Sequence, residues 1–204
     1  MKRSMSRKGV LVIALLTLII FGGSGLVLIY YLHKGDMVNT FFPEWQHTLL
    51  FYHLGLQTAI GSVYGLVSAV LLWRLVEINY LKPTRRFFTR LIGGIELKGS
   101  DILIISLCAG IGEELFFRGA VQPWLGIWLT SILFVAIHGY LSPANRPLAL
   151  YGLCMTVVIA GVGYMARHYG LISAMVAHTL IDVYLFFRLR QNARLSPDLR
   201  EQKD

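Results

Sequence analysis

Six ionisable residues lie inside long apolar stretches of the sequence, where charged groups are rare. They form three groups, which are Glu113 with Glu114 and Arg118, His138 alone, and His178 with Asp182. A charged side chain at the centre of a bilayer costs about 2.5–3.5 kcal/mol or more, so such residues usually pair or line a cavity. The three groups are therefore the first candidates for a functional site.

Helical spacing pairs residues within these groups. Glu114 and Arg118 are four residues apart and share one helix face. Glu113 is rotated by about 100° from Glu114 around the helix axis, so its side chain does not face Arg118. The spacing predicts an ion pair that keeps Glu114 ionised and a Glu113 carboxylate that is free to react. The same interval separates His178 from Asp182, so the acid can orient the imidazole or stabilise its charge.

The residue types in these groups suit hydrolysis by an activated water. A carboxylate beside a histidine such as His138 is a workable general base. Phe134, four residues earlier, predicts an aromatic wall beside that histidine. An imidazole held by an acid, as in the pair of His178 and Asp182, can donate to a developing oxyanion. The sequence has neither a His-Glu-x-x-His zinc motif nor a Gly-x-Ser-x-Gly elbow.

Each group also has a structural interpretation. The two glutamates with Arg118 would suit an interhelical clamp, and His138 would suit the membrane interface. The pair of His178 and Asp182 would suit a structural hydrogen bond or a proton path. Three groups together are harder to explain in this way, because each one costs insertion energy. The remaining histidines are interpreted as surface residues: His33, His47, His53 and His168.

The composition indicates a membrane protein. Of the 204 residues 55% are hydrophobic and only 15% are charged, whereas about a quarter are charged in a soluble domain. The net charge is +8, and the Lys and Arg residues cluster at the ends of apolar segments. This pattern fits cytoplasmic flanks that face anionic lipid, and it argues against nucleic acid as a partner. Cys108 and Cys154 lie in apolar segments, and we expect no disulfide.

Six apolar segments approach the twenty or so residues that a membrane-spanning helix needs. They cover about 9–32, 54–73, 101–119, 126–140, 148–167 and 170–187. The first is too long for a signal-peptide core and is expected to be an uncleaved span. The predicted fold class is all-α, a polytopic integral membrane helical bundle of about six transmembrane helices.

Local signals add detail to this architecture. The basic 74–100 connection predicts an interfacial amphipathic helix, and Trp45 in the 33–53 connection is expected at the interface. Gly61 and Gly65 predict a close approach of two helices. Asp101 is expected to be the N-cap of the third helix.

Three motifs resemble those of the CAAX protease and bacteriocin-processing (CPBP, also called Abi) family of intramembrane proteases. EELFFR at 113–118 is similar to its Glu-Glu-x-x-x-Arg motif, and FVAIH at 134–138 is similar to its Phe-x-x-x-His motif. HTLID at 178–182 is similar to its third motif, His-x-x-x-Asn or Asp. The motifs occur in the family's order, and the resemblance covers roughly 101–187.

The resemblance implies a glutamate-dependent, metal-independent peptidase without a cofactor. Glu113 and His138 would activate water, and Glu114 with Arg118 would support the helix. His178 and Asp182 would form the oxyanion site. Asp182 stands where the eukaryotic CAAX enzymes have asparagine, and a carboxylate is a poor donor unless protonated. Its role is therefore left open between oxyanion donor and orienter of His178.

The relative depth of the motifs in the bundle predicts a further feature. If a helix began at Pro123, His138 would lie too deep to meet Glu113, so we expect 119–126 to be irregular and the next helix to start near Ile127. The distribution of Lys and Arg places this turn and the Gly170 turn outside the cell. That would open the site away from the cytoplasm, whereas CAAX-type members are expected to work from the cytosolic side, so the side on which the site opens is left undecided.

We therefore predict an intramembrane glutamic endopeptidase in the cell membrane, multi-pass, in a bacterial inner membrane with both termini cytoplasmic. Two spans and the basic connection occupy 1–100, a CAAX-protease-like catalytic core occupies 101–187, and a polar tail occupies 188–204. The expected partners are a peptide or membrane-protein substrate and the lipid bilayer, with the oligomeric state open. The alternatives are a non-catalytic partner such as a bacteriocin-immunity or signalling scaffold, a metal-dependent membrane protease using the same residues, and a proton-coupled transporter.

Overall fold

Helices account for the regular structure in the computed structural model, which describes residues 6–32, 41 and 50–195. We label the helices in chain order: α1 Arg7–Leu32, α2 Leu50–Glu77, α3 Lys82–Gly93, α4 Gly99–Glu114, α5 Gln122–Ile137, α6 Arg146–Tyr169 and α7 Leu171–Leu195. A π-helical turn, Leu18–Gly22, lies within α1, and a second, Leu115–Val121, joins α4 to α5. A 3₁₀ turn, Asn79–Leu81, precedes α3. Trp45, His33 and His47 lie outside the described residues, as do residues 196–204.

Five helical stretches in the described ranges are long and apolar enough to cross a membrane: Arg7–Leu32, His53–Glu77, Gly99–Ile137, Arg146–Tyr169 and Leu171–Leu195. The predicted all-α polytopic fold is therefore confirmed. The third stretch contains both the third and the fourth predicted segments. Helical backbone continues from α4 through the π-helical turn as far as Leu125, and the helix resumes after Gly126, so this stretch holds two segments of the sequence.

The chain nevertheless reverses direction within that stretch. Gly126 has φ 72° and ψ 175°, a conformation that is essentially restricted to glycine. A straight helix would separate Glu113 from His138 by about 37 Å, yet their side chains lie 3.7 Å apart. The region predicted to be irregular, 119–126, contains the end of the π-helical turn and the non-helical residue Gly126, after which α5 runs back past the π-helical turn and packs on α6.

Ion pairs and side-chain contacts show which helix ends lie together. Arg7 at the start of α1 pairs with Asp101 at the start of α4, with 2.6 Å between Nε and Oδ2. Glu77 at the end of α2 approaches Arg188 near the end of α7, with 3.7 Å between Oε1 and Nη2. The ring of Tyr140, in the loop after α5, lies 5.7 Å from that of Phe88 in α3. We call this side of the bundle the basic end, and the turns at Gly126 and Gly170 lie at the opposite end.

Helices α2 and α7 pack closely along a stripe of small residues. A Cβ atom at Gly61 or Gly65 would collide with the backbone carbonyl of Ser173 or Ala177, so the predicted close approach is present. His53 begins the same stripe two turns earlier. It is buried, with 7% of its surface exposed, so its interpretation as a surface residue is wrong, whereas that of His168 is right.

Helix α1 packs along α4. The backbone of Leu18 lies against Gly112, where a Cβ atom would be 2.9 Å from the Leu18 Cα atom. The outer face of α1 is apolar and exposed; Ile19, for example, is 66% exposed. This exposure suits a helix that contacts lipid.

The first turn of α4 differs from its prediction. Lys98 is the N-cap, and Asp101 is the third helical residue. The Asp101 carboxylate accepts the backbone N–H of Lys98 at 2.7 Å and two N–H groups of Arg7 at 2.6 and 2.7 Å. The N-cap prediction for Asp101 is therefore wrong, because its carboxylate stabilises the helix start from inside the first turn.

The basic connection and the C-terminal segment are both helical. Helix α3, Lys82–Gly93, lies within 74–100 and buries Thr84, Thr89 and Ile92 on one face, as expected for an amphipathic helix. Helix α7 continues to Leu195, beyond the boundary at 188 that was predicted for a polar tail. Asn192 donates its Nδ2–H to the Thr89 hydroxyl at 3.2 Å, which holds this last part of α7 against α3.

Candidate active site

The predicted site residues meet at one cavity inside the bundle. The cavity has a volume of about 260 Å³, and Glu113, His138, His178 and Asp182 line it. Glu114 and Arg118 lie behind this wall, with side chains that are 0% exposed. The sequence-predicted residues therefore form a single cluster, although they come from three helices.

Glu113 stands at the centre of the cluster. Its Oε2 atom lies 3.7 Å from Nε2 of His138 and 4.0 Å from Nε2 of His178. These distances are too long for direct hydrogen bonds. Gaps of this size between polar atoms suit a bridging water, which is the nucleophile that hydrolysis requires.

The backbone fixes the orientation and the tautomer of His138. Its Nδ1 atom lies 2.6 Å from the carbonyl oxygen of Phe134, one turn earlier in α5. A carbonyl only accepts, so Nδ1 carries the hydrogen and a neutral ring keeps its lone pair on Nε2. That lone pair is on the side of Glu113. The predicted aromatic wall is present, since the rings of Phe134 and His138 are 4.5 Å apart.

Glu114 contacts two partners in the dry interior. Its Oε1 atom accepts the Nδ1–H of His178 at 2.8 Å, and its Oε2 atom lies 3.3 Å from Nε of Arg118. The Arg118 guanidinium also lies over the ring of Phe134, 5.3 Å from its centre. The Arg118 nitrogens have no hydrogen-bond partner among the described residues. The Glu114 carboxylate and the Phe134 ring are therefore the groups that balance this buried charge.

Asp182 faces the other nitrogen of His178. Its Oδ2 atom lies 3.7 Å from His178 Nε2, the atom that also faces Glu113. The close hydrogen bond that orients the imidazole comes from Glu114, which is 64 positions away in the sequence. Helical spacing alone pointed to Asp182 and gave no signal for the contact with Glu114.

Two parts of the cavity wall were absent from the predicted site. Tyr140 lines the cavity from the loop after α5, and its ring centre is 5.9 Å from that of His138. Burial raises the pKa of the Tyr140 hydroxyl, so this group remains protonated. Ala14 and Thr17 line the cavity from α1, far from any motif. An apolar helix gives no sequence signal that one of its faces borders a site.

The cavity extends toward the basic end of the bundle. Val10 and Phe186 line it there, as does Tyr140. A second, more apolar space of about 200 Å³ adjoins it, and Tyr140, Asp182 and Phe186 line both. The turns at Gly126 and Gly170 lie at the opposite end of the bundle. The sequence left open the side on which the site opens; in the structure, the open space lies on the side of Glu113 away from these turns.

The geometry gives no support for a metal centre in the part of the chain that the structure describes. No three His, Cys, Asp or Glu side chains there are arranged to hold an ion. The Nδ1 atoms of His138 and His178 are engaged by the Phe134 carbonyl and by Glu114. Cys108 and Cys154 are free thiols that do not line the cavity.

Comparison with known proteins adds the family. A family model described as type II CAAX prenyl endopeptidase Rce1-like matches residues 97–184. All three motifs lie in this segment, which is similar to the Rce1-like group of the CPBP family. The match confirms the family resemblance that the motifs indicated, and with five apolar helices it identifies a multi-pass membrane protein.

One curated relative is similar to part of the chain. The uncharacterized protein YpbD of Bacillus subtilis (strain 168) is 32% identical over 91 residues. The matched region makes up 44% of this chain and 46% of YpbD, so it spans about half of that relative. No solved structure matches the chain significantly.

Proposed function

We propose that the chain is an intramembrane endopeptidase that uses Glu113 and His138 to activate water. The observation that carries this proposal is the gap between Glu113 Oε2 and His138 Nε2, which is 3.7 Å wide and opens into a cavity. A water held between these atoms would meet two acceptors at once, which fixes its orientation and leaves its oxygen directed at a substrate carbonyl.

The reaction proceeds by addition of water and loss of an amine. The water oxygen attacks the carbonyl carbon, its proton passes to Glu113, and the carbonyl π electrons move to oxygen to give a tetrahedral oxyanion. The C–N bond then breaks, and Glu113 returns the proton to the departing nitrogen. The products are a carboxyl group and an amine, and no metal or covalent enzyme intermediate takes part.

His178 is suited to stabilise the oxyanion. Its Nδ1–H is held by Glu114, which leaves Nε2 directed into the cavity between Glu113 and Asp182. With a proton on Nε2 this ring donates a hydrogen bond to the oxyanion, and the buried Glu114 carboxylate balances its charge. Glu114 thus acts as a positioning residue for His178.

The cavity supports access from the cytoplasm. It extends toward the basic end, where Arg7, α3 and Arg188 lie. Positively charged flanks favour the cytoplasmic side of a membrane. The substrate class that fits is a peptide segment at this surface, with apolar side chains for the walls of the two adjoining spaces.

The experiment compares new protein termini in membranes from cells that express either the wild type or Glu113→Gln at equal levels. The proposal expects termini that appear only with the wild type and persist when a chelator is present. Termini that a chelator abolishes would indicate the metal-dependent alternative. Identical termini with two equally folded proteins, in cells that also express candidate membrane substrates, would indicate a non-catalytic membrane partner instead.

A further inference from the structure

We propose, resting on the peptidase function above, that Tyr140 is a further catalytic residue, which donates its phenolic hydroxyl to the oxyanion beside His178. Tyr140 lies outside the three motifs, two residues after His138. Helix α5 ends at Ile137, and the chain turns at Gly139, whose φ is 76°. This turn brings the tyrosine ring back to the same cavity.

The position of Tyr140 is fixed by aromatic packing. Its ring centre lies 5.9 Å from that of His138, 5.7 Å from that of Phe88 and 5.8 Å from that of Tyr151. The backbone carbonyl of Tyr140 packs on Gly152 of α6, where a Cβ atom would meet the carbonyl carbon at 2.8 Å. A ring held on these sides presents its hydroxyl reproducibly, as a preorganised donor requires.

Within the described part of the chain, the fold does not use the hydroxyl of Tyr140. It makes no hydrogen bond with any described residue, although the residue lines the cavity with Glu113 and Asp182. Tyr64, by contrast, donates its hydroxyl to the carbonyl of Val158 at 2.8 Å. A half-buried tyrosine that makes no such hydrogen bond, at a cavity that Glu113 and Asp182 also line, has its O–H group available to a ligand.

The chemistry of the site leaves a place for such a donor. Asp182 occupies the third motif position, and an ionised carboxylate accepts hydrogen bonds but cannot donate one. His178 therefore supplies one donor where an oxyanion hole usually has more than one. In the addition step the Tyr140 O–H bond stays intact, and its hydrogen bond strengthens as negative charge develops on the carbonyl oxygen.

The test uses Tyr140→Phe, which removes the oxygen and keeps the ring. On a substrate found by the terminus comparison, kcat is expected to fall by about 10²–10³-fold, with KM changed by less than about threefold. The thermal unfolding temperature in detergent is expected to match the wild type. Tyr164→Phe is the control, because Tyr164 is 52% exposed on α6 and lines neither of the two adjoining spaces; its kcat should stay at the wild-type value.

A fluorotyrosine at position 140 separates hydrogen bonding from packing. It remains a donor and is more acidic, so its kcat is expected to stay near or above the wild-type value while that of Tyr140→Phe falls. Wild-type kcat in Tyr140→Phe, together with loss of cleavage in Glu113→Gln, would overturn the assignment of Tyr140 alone. Cleavage that survives Glu113→Gln would overturn the proposed function itself.

Discussion

The Nδ1 atom of His178 lies 2.8 Å from Oε1 of Glu114, whose other oxygen lies 3.3 Å from the guanidinium of Arg118. One buried carboxylate therefore connects an imidazole of the cavity to a cation in the interior. The ionised carboxylate balances Arg118, and the same charge fixes the ring that faces the substrate. Stability and activity are thus coupled through Glu114 in a way that does not apply to Glu113.

The first prediction follows from this coupling. Glu114→Gln leaves the buried Arg118 charge without its counterion, and we expect a loss of about 3–5 kcal/mol of stability together with loss of cleavage. Glu113→Gln is the matched control; we expect loss of cleavage with little change in stability, because Glu113 forms no close ion pair. Thermal and denaturant unfolding in detergent measure the difference. Equal stability of the two variants would contradict the role given to Glu114.

A double variant tests the same coupling separately for stability and for activity. Glu114→Gln combined with Arg118→Met removes both buried charges, and replacing a buried pair by neutral groups is often close to neutral for stability. We expect the double variant to recover most of the lost stability and none of the activity, since His178 still lacks its charged partner. Recovery of activity with stability would show that Glu114 acts only through Arg118.

The second prediction concerns the reversal that brings Glu113 to His138. Gly126→Ala places a side chain at φ 72° and ψ 175°, and we expect a cost of about 1–3 kcal/mol together with a lower cleavage rate. Gly55→Ala in α2 is the control, because a Cβ atom there meets nothing within 4 Å and alanine is about 1 kcal/mol better than glycine in a helix interior. Unfolding temperature and kcat are measured for both. A neutral Gly126→Ala would mean that the chain reverses elsewhere.

The third prediction tests α1 as a wall of the catalytic cavity. Ala14→Trp fills space beside Glu113, because Ala14 lines the cavity, and we expect KM to rise or cleavage to be lost. Leu15→Trp is the neighbouring control, since Leu15 is 48% exposed on the outer face of α1 and a tryptophan there meets lipid. Cleavage rates at equal expression distinguish the two. Equal activity of both variants would show that α1 does not border the path of the substrate.

Contacts between residues close in sequence were predictable. The pairs Glu114 with Arg118 and Phe134 with His138 follow from a spacing of four residues, because helix geometry alone places them on one face. The all-α membrane fold follows from hydropathy for a similar reason, since the bilayer leaves few alternatives. Gly61 and Gly65 were identified because only small residues let two helix backbones approach so closely.

Contacts between distant residues were not predictable from one sequence. The hydrogen bond from His178 to Glu114 depends on how α4 and α7 pack, and the pair of Arg7 and Asp101 depends on how α1 packs on α4. Tyr140 gave no signal because a tyrosine after a helix is also common at a membrane interface. The side on which the cavity opens could not be decided from the sequence, because positions counted from a turn give depth but not the side on which space is left.

The last prediction concerns the side of the membrane on which the cavity opens. The 138–145 loop lies at the basic end with the open side of the cavity, and the turn at Gly126 lies at the opposite end. In a background with Cys108→Ala and Cys154→Ala, single cysteines at Ala144 and Leu125 are labelled with a membrane-impermeant thiol reagent. Since basic flanks favour the cytoplasm, Ala144→Cys is expected to react in inverted vesicles and Leu125→Cys in intact spheroplasts. The reverse pattern would place the cavity on the outer side, and labelling of both from one side would contradict the helix order itself.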